Sequence, residues 1–196
     1  GADLRERLHL TPHERTAHTA TIAEAADAIT RFPVPVIAAV RGYALAGGAE
    51  LAIACDLRIA SSDATFGFPE AKIGIFPGAG GVVRLPRLIG VGAANDLLFT
   101  GRPVEADEAL RLGLVNTVLK NGDVLADAQE VARRIAANGP LAVRALKAAM
   151  RAMDQQGAAE AHRIVAQFRR KLDESADYAE GLAAFSERRP PRFEGR

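Results

Sequence analysis

The stretch Val34-Pro35-Val36-Ile37-Ala38-Ala39-Val40 runs directly into Arg41-Gly42-Tyr43-Ala44-Leu45-Ala46-Gly47-Gly48-Ala49-Glu50. The first half is apolar without alternation, which predicts a short strand covered on both faces, as in α/β proteins. Gly42 ends that strand, and residues 48–55 read as a helix. Leu57-Arg58-Ile59-Ala60 then reads as the next strand, Ser61-Ser62-Asp63 as a turn and Ala64-Thr65-Phe66 as a further short strand. A strand, a crossover helix and a second strand in this order predict parallel pairing.

Upstream, residues 11–31 read as a helix. Thr11 can cap it, Pro12 suits its first position, and Glu14 stands three residues after the cap. Ile22, Ala25, Ala26 and Ile29 follow at helical spacing. Downstream of Gly81 the pattern turns mostly helical. Residues 91–99, 105–112, 123–137, 140–153, 157–172 and 175–187 carry apolar residues at helical spacing, interrupted by one short strand from Leu114 to Leu119. This order predicts a parallel-sheet core followed by a helical C-terminal part. The tail from Arg188 to Phe193 cannot continue a helix past Pro190.

The chain has 196 residues, enough for a sizeable core, and its 48% hydrophobic and 25% charged content is ordinary for a globular protein. Lys and Arg total 25 against 24 Asp and Glu. That balance gives no electrostatic case for a nucleic-acid or membrane partner. No run of about 18 apolar residues occurs, so no membrane-spanning helix is expected, and no signal peptide opens the chain. Cys55 is the only cysteine, and its apolar neighbours predict a buried core thiol in a reducing setting. The start at Gly1-Ala2-Asp3 reads as the middle of a turn, and the chain reads as a fragment.

Two acids stand out. Glu50 closes the glycine-rich run and opens Leu51-Ala52-Ile53-Ala54-Cys55; Glu70 follows Phe66-Gly67-Phe68-Pro69 and precedes the loop Pro77-Gly78-Ala79-Gly80-Gly81. A lone Glu50 reads as a helix N-terminal charge favoured by the macrodipole, and a lone Glu70 as an exposed loop residue. Both, however, sit beside glycine-rich backbone that permits close approach of a ligand. Two carboxyls converging on one cleft can share general acid and base work.

Other chemistries find no anchor. Gly78 to Gly81 is not followed by the Lys and Ser/Thr of a phosphate loop, and no G-x-G-x-x-G is present. No G-x-S-x-G elbow occurs. His9, His13, His18 and His162 read as surface residues, with Pro12 breaking any face shared by His9 and His13. No metal site is expected. Arg169-Arg170-Lys171 reads as a solvated helix face.

Pro35 to Val40, the run Gly42-Tyr43-Ala44-Leu45-x-Gly47-Gly48-x-Glu50, Cys55-Asp56, Pro69-Glu70, Pro77 to Gly81 and Gly113-Leu114-Val115 together resemble the crotonase superfamily, the enoyl-CoA hydratases and isomerases. The similarity extends over essentially the whole chain. The opening Gly1-Ala2-Asp3-Leu4 and the closing Ala184-Phe185-x-Glu187-Arg188 look most like the methylglutaconyl-CoA hydratase branch. An RNA-binding role known in that branch is not carried over, because no lysine precedes Lys72.

The resemblance implies a crotonase-like α/β fold, a spiral core of ββα units, here N-terminally truncated. Residues 1–122 would form the partial core and 123–196 a helical trimerisation region. It implies that Glu50 and Glu70 are the catalytic carboxylates, adding water across a 2-enoyl-CoA. The backbone N–H groups of Ala2 and Gly47 would form the oxyanion hole. Phe185 and Arg188 would reach the coenzyme A of a neighbouring subunit in a homotrimer or hexamer. The acyl-CoA is then the substrate, and no cofactor is required. The implied setting is fatty acid metabolism in the cytoplasm, or in the mitochondrial matrix of a eukaryote. Two departures from the pattern are Ala46, where the family carries a glycine, and the absence of the family's stretch ahead of the Gly-Ala-Asp turn. The alternatives are a double-bond isomerase, or a non-catalytic assembly module.

Overall fold

The parallel ladder expected around Gly42 is present in the computed structural model, which describes residues 2–196 apart from the side chain of Gln155. Gly1, the first residue of the turn read from the sequence, lies outside the described residues. The chain divides into two compact units. One comprises residues up to Phe32 together with Val36–Ala128; the other comprises Pro33–Pro35 with Gln129–Arg196.

The first unit opens with α1 (Leu4–Leu8), whose N-cap Asp3 accepts from Arg5 N–H. Helix α2 (Pro12–Arg31) starts on the capping box expected from Thr11 and Glu14: each side chain satisfies a backbone N–H at the other's position. Two three-stranded sheets follow. In the first, β1 (Ile37–Val40) pairs in parallel with β3 (Leu57–Ser61), and β3 with β6 (Thr117–Leu119). In the second, β2 (Tyr43–Leu45) pairs in parallel with β4 (Thr65–Gly67), and β4 runs antiparallel to β5 (Val104–Glu105). Burial on both faces belongs to the central strand β3, where Arg58, Ile59 and Ala60 are buried. In β1, at the sheet edge, only Val40 is.

Helices α3 (Gly47–Ala54), α4 (Gly81–Ile89), α5 (Val91–Thr100) and α6 (Ala106–Leu112) complete this unit with a 3-10 helix over Pro69–Ile73. Phe66, Phe68, Leu85, Leu97, Val104 and Leu114 are fully buried and fill the core. Buried Arg58 carries its charge there by donating from Nε to Leu114 O at 2.7 Å and from Nη1 to Cys55 O at 2.6 Å. A smaller cluster joins Ala26 of α2 to Ala54 and Ala79, with Ile22, Ile29 and Leu51 packed against it.

Helix α7 (Val124–Ala136) leads into the second unit, which contains α8 (Pro140–Gln156), α9 (Ala158–Asp173) and α10 (Ala176–Glu187). Helices α8 and α9 pack against each other and meet at Gly157, whose φ of 88° is available to glycine at little cost. Helix α10 stops at Arg188, before Pro190, and the tail folds back on it. Glu180 takes both Arg189 Nη groups, and buried Asp177 accepts from the backbone N–H of Glu194 and Gly195. Arg169, expected on a solvated face, pairs with Asp173 and lies over the Tyr178 ring.

Two expectations are corrected. Cys55 is only partly buried, because it caps the end of α3 rather than lying within the helix; its Sγ donates to Leu51 O at 3.5 Å. His9, His13 and His162 are exposed, but His18 is partly buried. It stands four residues before Ile22 and eight before Ala26, on the stripe of α2 that turns inward.

Candidate active site

Glu50 owes its place to an abrupt change from strand to helix. Strand β2 ends at Leu45, and Gly47 is already the first residue of α3. The single residue between them, Ala46, makes the change. Its N–H donates to Gly67 O at 2.9 Å, and its φ of 50° and ψ of −126° are a conformation that residues with a Cβ avoid. No side chain caps α3, so the first-turn N–H groups that begin at buried Gly47 are not satisfied by a capping oxygen. Glu50 lies in that first turn, where the helix dipole favours an acid, yet it is 3% exposed, unlike an ordinary surface charge.

Its carboxyl is held from the other side by the glycine loop. The backbone N–H groups of Ala79 and Gly81 both donate to Glu50 Oε1, at 2.7 and 2.8 Å. Two donors on one oxygen fix the direction of the carboxyl. The loop can present them because Gly80 adopts a φ of 99°. Gly81 also has no room for a side chain: an added Cβ would lie 2.8 Å from Pro77 Cβ and 3.0 Å from Glu50 Oε1. The run that resembled a phosphate loop is a carboxyl cradle. The part played by Ala79 and Gly81 was not read from the sequence, although the glycines themselves were the available signal.

Glu70 arrives from β4 through Phe68 and Pro69, in the first turn of the 3-10 helix, and is 6% exposed. Its Oε2 is buried and accepts no hydrogen bond from the described residues. Burial pushes the Glu70 carboxyl above its ordinary range; its own backbone N–H opposes this in part, and the charge of Glu50, a smaller influence, pushes the same way as burial. Glu70 therefore senses the charge of Glu50. One is oriented by backbone donors, and the other keeps an oxygen open. This asymmetry suits a pair that shares proton transfer.

The remaining expected site residues lie on other elements. Ala2 is partly buried ahead of α1. Phe185, 86% exposed, and Arg188, the left-handed cap of α10 with a φ of 54°, belong to the second unit. Among the described residues no group of three or more His, Cys, Asp or Glu is placed to hold a metal ion, and no helix is long and apolar enough to cross a membrane.

The chain matches the profile of the enoyl-CoA hydratase/isomerase family over residues 1–196. It is 43% identical over 193 residues to the crotonyl-CoA hydratase of Syntrophomonas wolfei, covering 98% of this chain and 74% of that protein. It is 39% identical over 199 residues to the mitochondrial methylglutaconyl-CoA hydratase of Mus musculus, covering 100% of this chain and 63% of that protein. Its fold is similar to the crystal structure of enoyl-CoA hydratase from Bacillus anthracis, with a TM-score of 0.97 at 41% identity, over 100% of this chain and 76% of that one.

Proposed function

Because the chain belongs to the enoyl-CoA hydratase/isomerase family, we propose that it hydrates a 2-enoyl-CoA with Glu50 and Glu70 as the reacting carboxyls. The two hold one water between them. The hydroxide adds to the β-carbon as the double-bond electrons move toward the thioester carbonyl. The N–H groups of Gly47 and Ala2 receive the resulting oxyanion, as donors aimed at developing charge do. A carboxyl then delivers the water's proton to the α-carbon, giving the 3-hydroxyacyl-CoA. The thioester supplies the activation, and no separate cofactor enters.

The observation that carries this reading is the paired burial of Glu50 and Glu70, with Oε1 of the first fixed by two N–H donors and Oε2 of the second left open. An isomerase moves one proton and needs one carboxyl; two buried acids favour hydration. Incubation with crotonyl-CoA and mass analysis of the product tests it. Hydration adds the mass of one water, whereas an isomerase acting on a 3-enoyl-CoA leaves the mass unchanged.

We assign Phe185 and Arg188 to the coenzyme A of a neighbouring subunit in a trimer or a pair of trimers. The support is chemical: an exposed aromatic ring and, three residues on, an exposed guanidinium suit an adenine and a phosphate.

A further inference from the structure

The loop that cradles Glu50 is itself bolted from outside. Arg84, in the first turn of α4, donates from Nη1 to Ala79 O at 2.6 Å and from Nη2 to Asp27 Oδ1 of α2 at 2.7 Å. The guanidinium lies against Gly80, where an added Cβ would stand 2.0 Å from Nη1 and 2.8 Å from Cζ. Glycine thus suits position 80 by its φ of 99°, and a side chain there would push the Arg84 guanidinium aside. Ala79 faces both ways: its N–H holds Glu50 Oε1, and its carbonyl is held by Arg84. The side chain of Arg84 is 17% exposed and that of Asp27 is 53% exposed. A lone surface ion pair would contribute little, so the pair's value lies in the carbonyl it ties down.

From this chain of contacts we infer that Arg84 is a positioning residue for Glu50, and that Asp27 in turn orients Arg84. The inference rests on Glu50 being one of the reacting carboxyls. Without Arg84, Ala79 O loses its donor, the turn from Gly78 to Gly81 loosens, and the two N–H groups no longer converge on Oε1. Glu50 stays buried but is no longer aimed.

The test is a double-variant cycle in the full-length protein, with steady-state hydration of crotonyl-CoA and thermal unfolding as readouts. Arg84→Met is expected to lower kcat by about 10- to 100-fold, the scale of a misaimed reacting group, while KM changes less than about threefold. Added to Glu50→Gln it is expected to cause no further loss, because it acts through Glu50. Arg84→Lys, which keeps one donor, restores part of kcat, and Asp27→Asn gives a smaller loss in the same direction. Equal fold-losses with and without Glu50→Gln, or parental kcat in Arg84→Met, overturn the inference. If Arg84→Met does not fold, Arg84→Lys and Asp27→Asn run the same cycle under the same criteria. Parental activity in Glu50→Gln refutes the hydratase reading and this inference together. Low activity there with parental kcat in Arg84→Met refutes the inference alone.

Discussion

Burial raises the pKa of the Glu70 carboxyl, and the charge of Glu50 raises it further. The coupling has a consequence for stability. A group whose pKa is higher folded than unfolded contributes stability that is fully present below its unfolded value. That stability is lost as pH rises through the folded value. The window for Glu70 therefore opens near the ordinary 4.5 and extends upward. Thermal unfolding of Glu70→Gln followed across this window should show a shallower fall with rising pH than the parent. Identical pH profiles would contradict a raised Glu70.

Ala46 is a second, separable feature. Its positive φ costs about 1–3 kcal/mol in a residue with a Cβ. Glycine would remove that strain, at the expense of about 0.4–1 kcal/mol of extra unfolded-state entropy. Ala46→Gly is accordingly expected to raise unfolding stability by about 1 kcal/mol, measured in urea. A destabilised variant would mean that the alanine methyl makes packing contacts worth more than the strain.

The second unit leaves Leu146, Met150, Met153, Val165, Leu182 and Phe185 exposed. Apolar residues in such number on one unit mark an interface. In the trimeric assembly proposed above they are covered by copies of the same chain. Multi-angle light scattering at micromolar concentration should give three or six times the single-chain mass, and Leu182→Lys should lower it. A single-chain mass for the parent protein would remove the cross-subunit role of Phe185 and Arg188.

How much of this was legible in the sequence depended on how local each feature is. The start of α2 was readable because Thr11 and Glu14 satisfy each other's backbone N–H groups and Pro12 suits the first position, all within a single turn. Helices α8, α9 and α10 were readable because each is long enough to show its period. Strands β2 and β5 were not, since three and two residues carry no pattern and exist only through pairing with β4. Helix α1 is five residues long, and α4 hides behind a glycine N-cap and an internal Pro86. At the site, Glu50 and Glu70 announced themselves through their glycine-rich and apolar neighbours. The cradle did not, because Ala79 and Gly81 reach Glu50 across 29 and 31 positions of sequence. Arg84 escaped notice for the same reason: its partner on α2 is 57 positions away.

One kinetic measurement decides whether Glu70 reacts or merely packs. Glu70→Gln keeps the size of the side chain and removes its ability to exchange a proton. The steady-state rate of crotonyl-CoA hydration by this variant should fall by about 10²–10⁴-fold, the usual loss for an acid or base group, with coenzyme A binding unchanged by calorimetry. A rate within about threefold of the parent, a margin of roughly 0.7 kcal/mol, would mean that Glu70 packs and does not react.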